Sequence, residues 1–237
     1  YGLLVIWGFI PAEEGMGKAI DNFIIAKELD TELPEYPMSF VGRSLWKEWD
    51  FKQGYEYIQQ TLAMNPKHTD ALEAMAELFI ALGYFDQAEV FVKKALEVDP
   101  LSPNHHFTMA NIYYLRQAFD ISLHHIDKAL QINPEFDHAV RLKVNVFILL
   151  GKEEEVEVLA EKFEEKALIK LLYAIVNKKI GQIPKEYLDE WEGLERETGE
   201  IMPYRLFILA NGNCSKQAFK LLQSGIEMRR GQLMNYR

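Results

Sequence analysis

The sequence has one cysteine, Cys214, in 237 residues. No internal disulfide can form, so cysteine usage is compatible with a reducing compartment. Long apolar runs are missing too. The longest, YGLLVIWGFI at residues 1–10, is closed by Pro11-Ala12-Glu13-Glu14, whereas a membrane span needs roughly 20 apolar residues. No basic residues precede it, as they would in a secretory signal. Two readings of this run remain, a buried packing helix or the stub of a truncated membrane segment. The chain starts at Tyr1 rather than Met and is expected to be a fragment.

Positive charge is scarce. Lys and Arg number 26 against 36 Asp and Glu, a formal charge of −10. A phosphate-binding surface needs clustered cations, so nucleic acid is not an expected partner. Arg229-Arg230-Gly231 is too small a basic spot to change that. Gly15-Met16-Gly17-Lys18 is too short for a phosphate loop and has no strand before it. Strand-like alternation, low-complexity segments and Ser/Pro/Gly-rich linkers are all absent.

Catalytic constellations are equally thin. The histidine pairs His105-His106 and His124-His125 are adjacent in sequence, and neighbours on a helix do not face one another. They read as structural or surface residues, with no metal expected. Cys214 has no base at a recognisable spacing. Glu153-Glu154-Glu155 and the run Glu186, Asp189, Glu190, Glu192, Glu195, Glu197 read as solvated helix faces. No enzyme activity and no cofactor are expected.

What the sequence does contain is an internal repeat. TDALEAMAELFIALGYFDQAEVFVKKALEVDP at 69–100 superimposes on PNHHFTMANIYYLRQAFDISLHHIDKALQINP at 103–134. Met75-Ala76 falls on Met109-Ala110, Phe79 on Tyr113, Ala95-Leu96 on Ala129-Leu130, and Pro100 on Pro134. The shift is 34 residues, the period of tetratricopeptide repeats.

With Thr69 as position 1, helix A carries Leu72, Met75, Ala76 and Phe79 at helical spacing. Gly83, at position 15, suits a left-handed turn. Helix B carries Ala88, Val92 and Ala95 and is stopped by Asp99-Pro100. Ala76, Ala88 and Ala95 let two antiparallel helices approach closely. The window from Asp137 keeps the register through Val140, Val144, Phe147, Gly151, Val156 and Ala160 but loses the closing proline. The window from Glu35 places Val41-Gly42 at the large–small pair, Leu45 at the aromatic position, and Gly54, Ile58 and Thr61 on helix B. Trp49-Asp50 replaces the turn glycine there.

The expected fold is all-α, a right-handed superhelical solenoid of antiparallel helix pairs in one array over 1–237. Residues 1–34 form a degenerate first pair, with Ala19, Phe23 and Ala26 as its stripe. Clear repeats occupy 35–68, 69–102 and 103–136, and a partial one 137–165. Degenerate or capping pairs occupy 166–199 and 200–237, as terminal units of an array are expected to be atypical. A bend is expected near 164–168.

The 34-residue signature resembles that of tetratricopeptide proteins. A narrower resemblance rests on Ala26-Lys27-Glu28-Leu29-Asp30, Leu45-Trp46-Lys47-Glu48-Trp49-Asp50-Phe51, Leu62-Ala63-Met64-Asn65-Pro66, Val98-Asp99-Pro100-Leu101-Ser102-Pro103-Asn104-His105, Gly212-Asn213 and Gln217-Ala218-Phe219-Lys220-Leu221-Leu222. These segments are similar to the tetratricopeptide regions of bacterial signalling and transcriptional regulators. The resemblance implies a non-catalytic interaction or sensor module, joined elsewhere to a DNA-binding, cyclase or kinase domain. It binds a peptide or protein segment, or self-associates. A cytoplasmic location is expected, the exported side of a membrane-anchored regulator being the alternative.

Positions 2, 5, 9 and 12 of each helix A are expected to line the inner groove. The ligand candidates among them are Arg43, Trp46, Glu73, Glu77, Phe107, Asn111, Tyr114, Arg141 and Asn145. Amides such as Asn111 and Asn145 both donate and accept, as a peptide backbone requires. Arg43 and Arg141 suit a carboxylate, and Trp46, Phe107 and Tyr114 are apolar anchors. A small molecule near Trp46, Arg43 and Glu77 is the alternative ligand. Glu73 and Glu77 stand where the two-carboxylate clamp of chaperone-binding arrays needs cations or amides, and Phe107 replaces a lysine. The acidic chaperone tail is therefore not the expected ligand.

Overall fold

The computed structural model describes residues 12–30 and 32–162, together with Phe219 and Gln223. The expected helices in 1–10, the bend near 164–168, the pairs over 166–237 and Cys214 lie outside the described residues. Two compact units divide the chain, Tyr1–Pro100 and Leu101–Arg237. The division falls between the closing proline of one repeat and the start of the next.

The first unit holds α1 (Ala12–Leu29), α2 (Glu35–Gly42), α3 (Phe51–Met64), α4 (Thr69–Leu82) and α5 (Phe85–Val98). The second holds α6 (Pro103–Leu115), α7 (Phe119–Ile132), α8 (Asp137–Leu149) and α9 (Glu153–Lys162). Within the units α4 packs on α5, α6 on α7, and α2 on α3. No strand occurs among the described residues. The fold class is the expected one, all-α helix pairs of the tetratricopeptide type.

Local chemistry sets the helix ends. Asp50 caps α3 by accepting from the Gln53 amide at 2.9 Å, and Ser102 caps α6 by accepting from the His105 amide at 3.3 Å. Such caps satisfy amides that the first helical turn leaves without partners. His68 does the same for α4, its Nδ1 accepting from the Ala71 amide at 3.3 Å. Helices α3, α5 and α7 end on Asn65, Asp99 and Asn133, each with extended ψ. Each precedes a proline, whose ring disfavours the α conformation in the residue before it.

The positive-φ residues are Trp49, Gly83, Gln117 and Gly151 among those described. They recur every 34 residues, at position 15 of each repeat. The turn geometry is therefore kept even where the glycine is lost, and the repeat is a backbone repeat as much as a sequence repeat.

The first unit is built on Val41, Leu45, Ile58, Ala71, Ala74, Met75 and Leu78. Ala110, Ile126, Ala129, Ala139, Leu142 and Val146 form the corresponding core of the second. Ala76, Ala88 and Ala95 are fully buried, as expected of small residues between close helices. Ser122 takes the place of Ala88 in the next repeat, and its hydroxyl donates to the Ala110 carbonyl at 2.9 Å. That bond satisfies a buried hydroxyl and ties α7 to α6.

One local expectation needs correction. Gly42 is exposed, whereas its repeat equivalents Ala76, Ala110 and Val144 are buried. Residues Arg43–Glu48 form a π-helix. That wider turn follows Gly42, and Ser44 keeps the buried position that Leu78, Ile112 and Val146 hold in the later repeats.

Candidate functional site

The first unit carries four of the candidate ligand residues. Arg43 lies in the π-helix, half-exposed, with its Nε 2.7 Å from the Glu48 carboxylate. Its charge is engaged in a local ion pair, not held open for a ligand. Trp46 lies in the same π-helix, and its side chain is outside the described residues. Glu73 and Glu77 stand one turn apart on α4. Glu77 is half-buried, and desolvation together with the neighbouring Glu73 charge pushes its carboxyl up to about 8.

A cavity of about 470 Å³ opens elsewhere in this unit. Ser39, Asn65, Lys67, His68 and Asp70 contribute its polar wall, and Phe23, Met38 and Val98 its apolar wall. Only Ser39 and Asp70 come from the inner positions of helix A. Lys67 and His68 come from the turn between α3 and α4. That turn is set by Asn65, whose side-chain oxygen accepts from the Lys67 amide at 3.0 Å. Arg43 and Glu77 do not line this cavity. The sequence signal for it is the Asn-Pro turn motif, which by itself marks only a helix stop.

The second unit carries the other five candidates. Phe107, Asn111 and Tyr114 are spaced i, i+4, i+7 on α6 and therefore share one face. Arg141 and Asn145 share a face of α8 in the same way. Helices α6 and α8 touch directly. Phe107 is not a free anchor. Its ring meets Phe136 edge-on at 5.8 Å and His138 at 5.6 Å, and it packs against the core. Tyr114 also packs against the core and lies 6.2 Å from the Phe119 ring, and burial raises its phenol pKa. Arg141 is ion-paired with Asp137 one turn earlier on α8.

Asn145 differs from the rest. Its side-chain oxygen is buried and has no hydrogen-bond partner. A buried acceptor left unpaired costs about 1–3 kcal/mol, so it needs an explanation that packing alone does not give. Asn111 occupies the equivalent position one repeat earlier, 34 residues before.

A second pairing in this unit escapes spacing rules. His106 on α6 and His125 on α7 bring their Nδ1 atoms to 3.4 Å. The two lie at positions 4 and 23 of one repeat, which face each other across the helix pair. Attention to adjacent histidines alone hides this. Among the described residues no group of three or more His, Cys, Asp or Glu converges as a metal site would require. Among those residues, too, no helix is long and apolar enough to cross a membrane.

Residues 45–112 match the tetratricopeptide repeat family. The structure is similar to a thermophilic TPR protein of Thermus thermophilus, at 17% identity and a TM-score of 0.58, over 76% of this chain and 98% of that one. It is similar to a tetratricopeptide repeat protein from Parabacteroides merdae, at 15% identity and a TM-score of 0.59, over 96% and 93% of the two chains. It is similar also to Pseudomonas aeruginosa pilF, at 16% identity and a TM-score of 0.53, over 93% and 96%. At these identities the likeness concerns the fold. No curated protein matches the sequence. Residues 45–112 thus carry a tetratricopeptide-repeat match, the described helix pairs have that fold, and the fold is consistent with a protein–protein interaction module.

Proposed function

We propose that the chain is a non-catalytic module that binds an extended peptide or protein segment along the α6 and α8 faces. The unpaired, buried oxygen of Asn145 carries this reading. A peptide N–H supplies the donor that the acceptor lacks. Asn111, one repeat away, offers the same donor–acceptor pair to a neighbouring peptide unit. Tyr114 supplies apolar wall, and Arg141 a cation already oriented by Asp137. In this reading the module serves a regulatory protein and reports partner binding to an attached domain.

An array of 12-residue peptides of varied composition, followed by titration of any hits, tests this. Binding weakened at least tenfold in Asn111→Ala and Asn145→Ala supports it. No retained peptide, or equal binding by the variants, refutes it.

A second reading, a small-molecule sensor, is favoured by the cavity beside Lys67 and His68, whose volume falls in the range of ligand pockets. A thermal-shift screen of metabolites separates the two, since a ligand stabilises by mass action. Hits abolished by Ser39→Leu and untouched by Asn145→Ala assign the cavity.

A further inference from the structure

We propose that His106 and His125 form a two-imidazole site for a borderline divalent ion of the Zn²⁺ or Ni²⁺ class. The first ground is internal to the repeats. Positions 4 and 23 are Met38 and Tyr57 in the first clear repeat, Leu72 and Phe91 in the second, and Val140 and Leu159 in the fourth. Five of these are apolar and the sixth is a phenol ring, and Met38, Tyr57 and Phe91 pack against the core of the first unit. Only in the third repeat are both members of the pair polar, and both are histidine. His106 is 8% exposed, so an imidazole sits where its siblings place hydrocarbon. Two imidazoles thus replace hydrocarbon between α6 and α7 in this repeat alone among the four.

The second ground is distance. The two Nδ1 atoms are 3.4 Å apart. That is longer than the roughly 2.7–3.2 Å usual for a nitrogen donor in a hydrogen bond. Two imidazole nitrogens each about 2.0–2.1 Å from one ion, at the tetrahedral angle, lie about 3.3–3.4 Å apart. The separation therefore accommodates a shared ion as well as a shared proton.

The third ground is preorganisation. Tyr113 lies parallel to the His125 ring, 6° between planes and 6.1 Å between centroids. The Arg116 guanidinium covers Tyr113 at 5.6 Å. The Ser122 hydroxyl holds α7 against α6 at Ala110. The two rings thus project from helices locked together by a buried hydrogen bond, which fixes ligand geometry before an ion arrives. Imidazole ligands select ions of the zinc, nickel and copper group over magnesium or calcium. The protein supplies two ligands and leaves the remaining coordination positions to water or to an exogenous donor.

The test titrates Zn²⁺ and Ni²⁺ separately into the chelator-stripped chain, by calorimetry and by thermal shift. Comparison variants are His125→Gln and the double variant His106→Leu/His125→Phe, which copies the second repeat and keeps the core apolar. His68→Asn, which retains a helix-capping oxygen, is the control for adventitious binding to other histidines. The expected result is one ion per chain, with affinity reduced at least tenfold in His125→Gln, abolished in the double variant and unchanged in His68→Asn. Equal binding by wild type and double variant, or no saturable binding by wild type, overturns the proposal. Neither outcome bears on the peptide reading, whose residues lie on other faces of α6 and α8.

Discussion

Gly54 of α3 lies against the side chain of Leu45 so closely that a β-carbon built on it would sit 2.3 Å from Leu45 Cδ2 and 2.8 Å from Cγ. Leu45 is fully buried, so any shift it makes must be taken up by its packed neighbours. The same position is Ala88 in the next repeat, fully buried, where a β-carbon is accommodated. Gly54→Ala improves intrinsic helix propensity by about 1 kcal/mol, yet overpacking of this kind costs about 1–3 kcal/mol. We expect net destabilisation, read from the midpoint of urea denaturation. The double change Gly54→Ala/Leu45→Val should recover part of the loss, which identifies the clash as its source.

Position 15 offers a second test. Gln117 adopts φ 60° where Gly83 adopts φ 79°. A left-handed conformation costs a residue with a side chain about 1–2 kcal/mol, while glycine gains entropy in the unfolded chain. Gln117→Gly should therefore stabilise modestly, by about 0.5 kcal/mol net of these opposing effects. Gly83→Ala should destabilise by about 1–2 kcal/mol. Thermal melts of the two variants, with shifts of opposite sign, check the assignment of the turn.

Glu77 makes stability depend on pH. Its carboxyl is raised from 4.5 to about 8. Between these values the folded chain holds a proton that the unfolded chain releases. Stability is thus fullest below about pH 4.5 and falls as pH rises through 8. The slope is at most about 1.4 kcal/mol per pH unit. Glu77→Gln removes the group, so the variant should gain most over wild type at pH 9 and little at pH 5. Melting curves of the two proteins that run parallel across this range would contradict the burial of that charge.

Asn145 separates stability from binding. Replacing a buried acceptor that lacks a partner with an apolar side chain of similar volume removes an unmet desolvation cost. Asn145→Leu should raise the thermal midpoint, by an amount equivalent to about 1 kcal/mol. The same variant should lose any peptide found to bind wild type. A variant that is less stable than wild type would show that the amide is satisfied in the free protein.

Several features are legible without coordinates. The repeat length, the helix boundaries near Pro66, Pro100 and Pro134, and the buried roles of Ala76, Ala88 and Ala95 follow from residue type and spacing. They are local, because a proline, a capping side chain or a small residue acts within one or two helical turns. The candidate ligand residues are legible only as positions on helix faces. Whether Arg43 is open or engaged depends on Glu48, five residues on, and so on a π-turn that carries no sequence signature. Phe107 has the chemistry of a ligand contact, but Phe136 and His138 already pack on it, and the orientation of Arg141 is set by Asp137 one turn earlier.

The sequence alone determined the all-helical repeat, its 34-residue period and its turns, because each repeat restates the same short-range constraints on backbone and side-chain size. Only the tertiary structure decided that Gly54 accommodates Leu45, that Asn145 keeps an unmet acceptor, and that His106 meets His125. Those relationships join residues on different helices or leave a group without one, and they depend on interhelical distances that no local rule specifies.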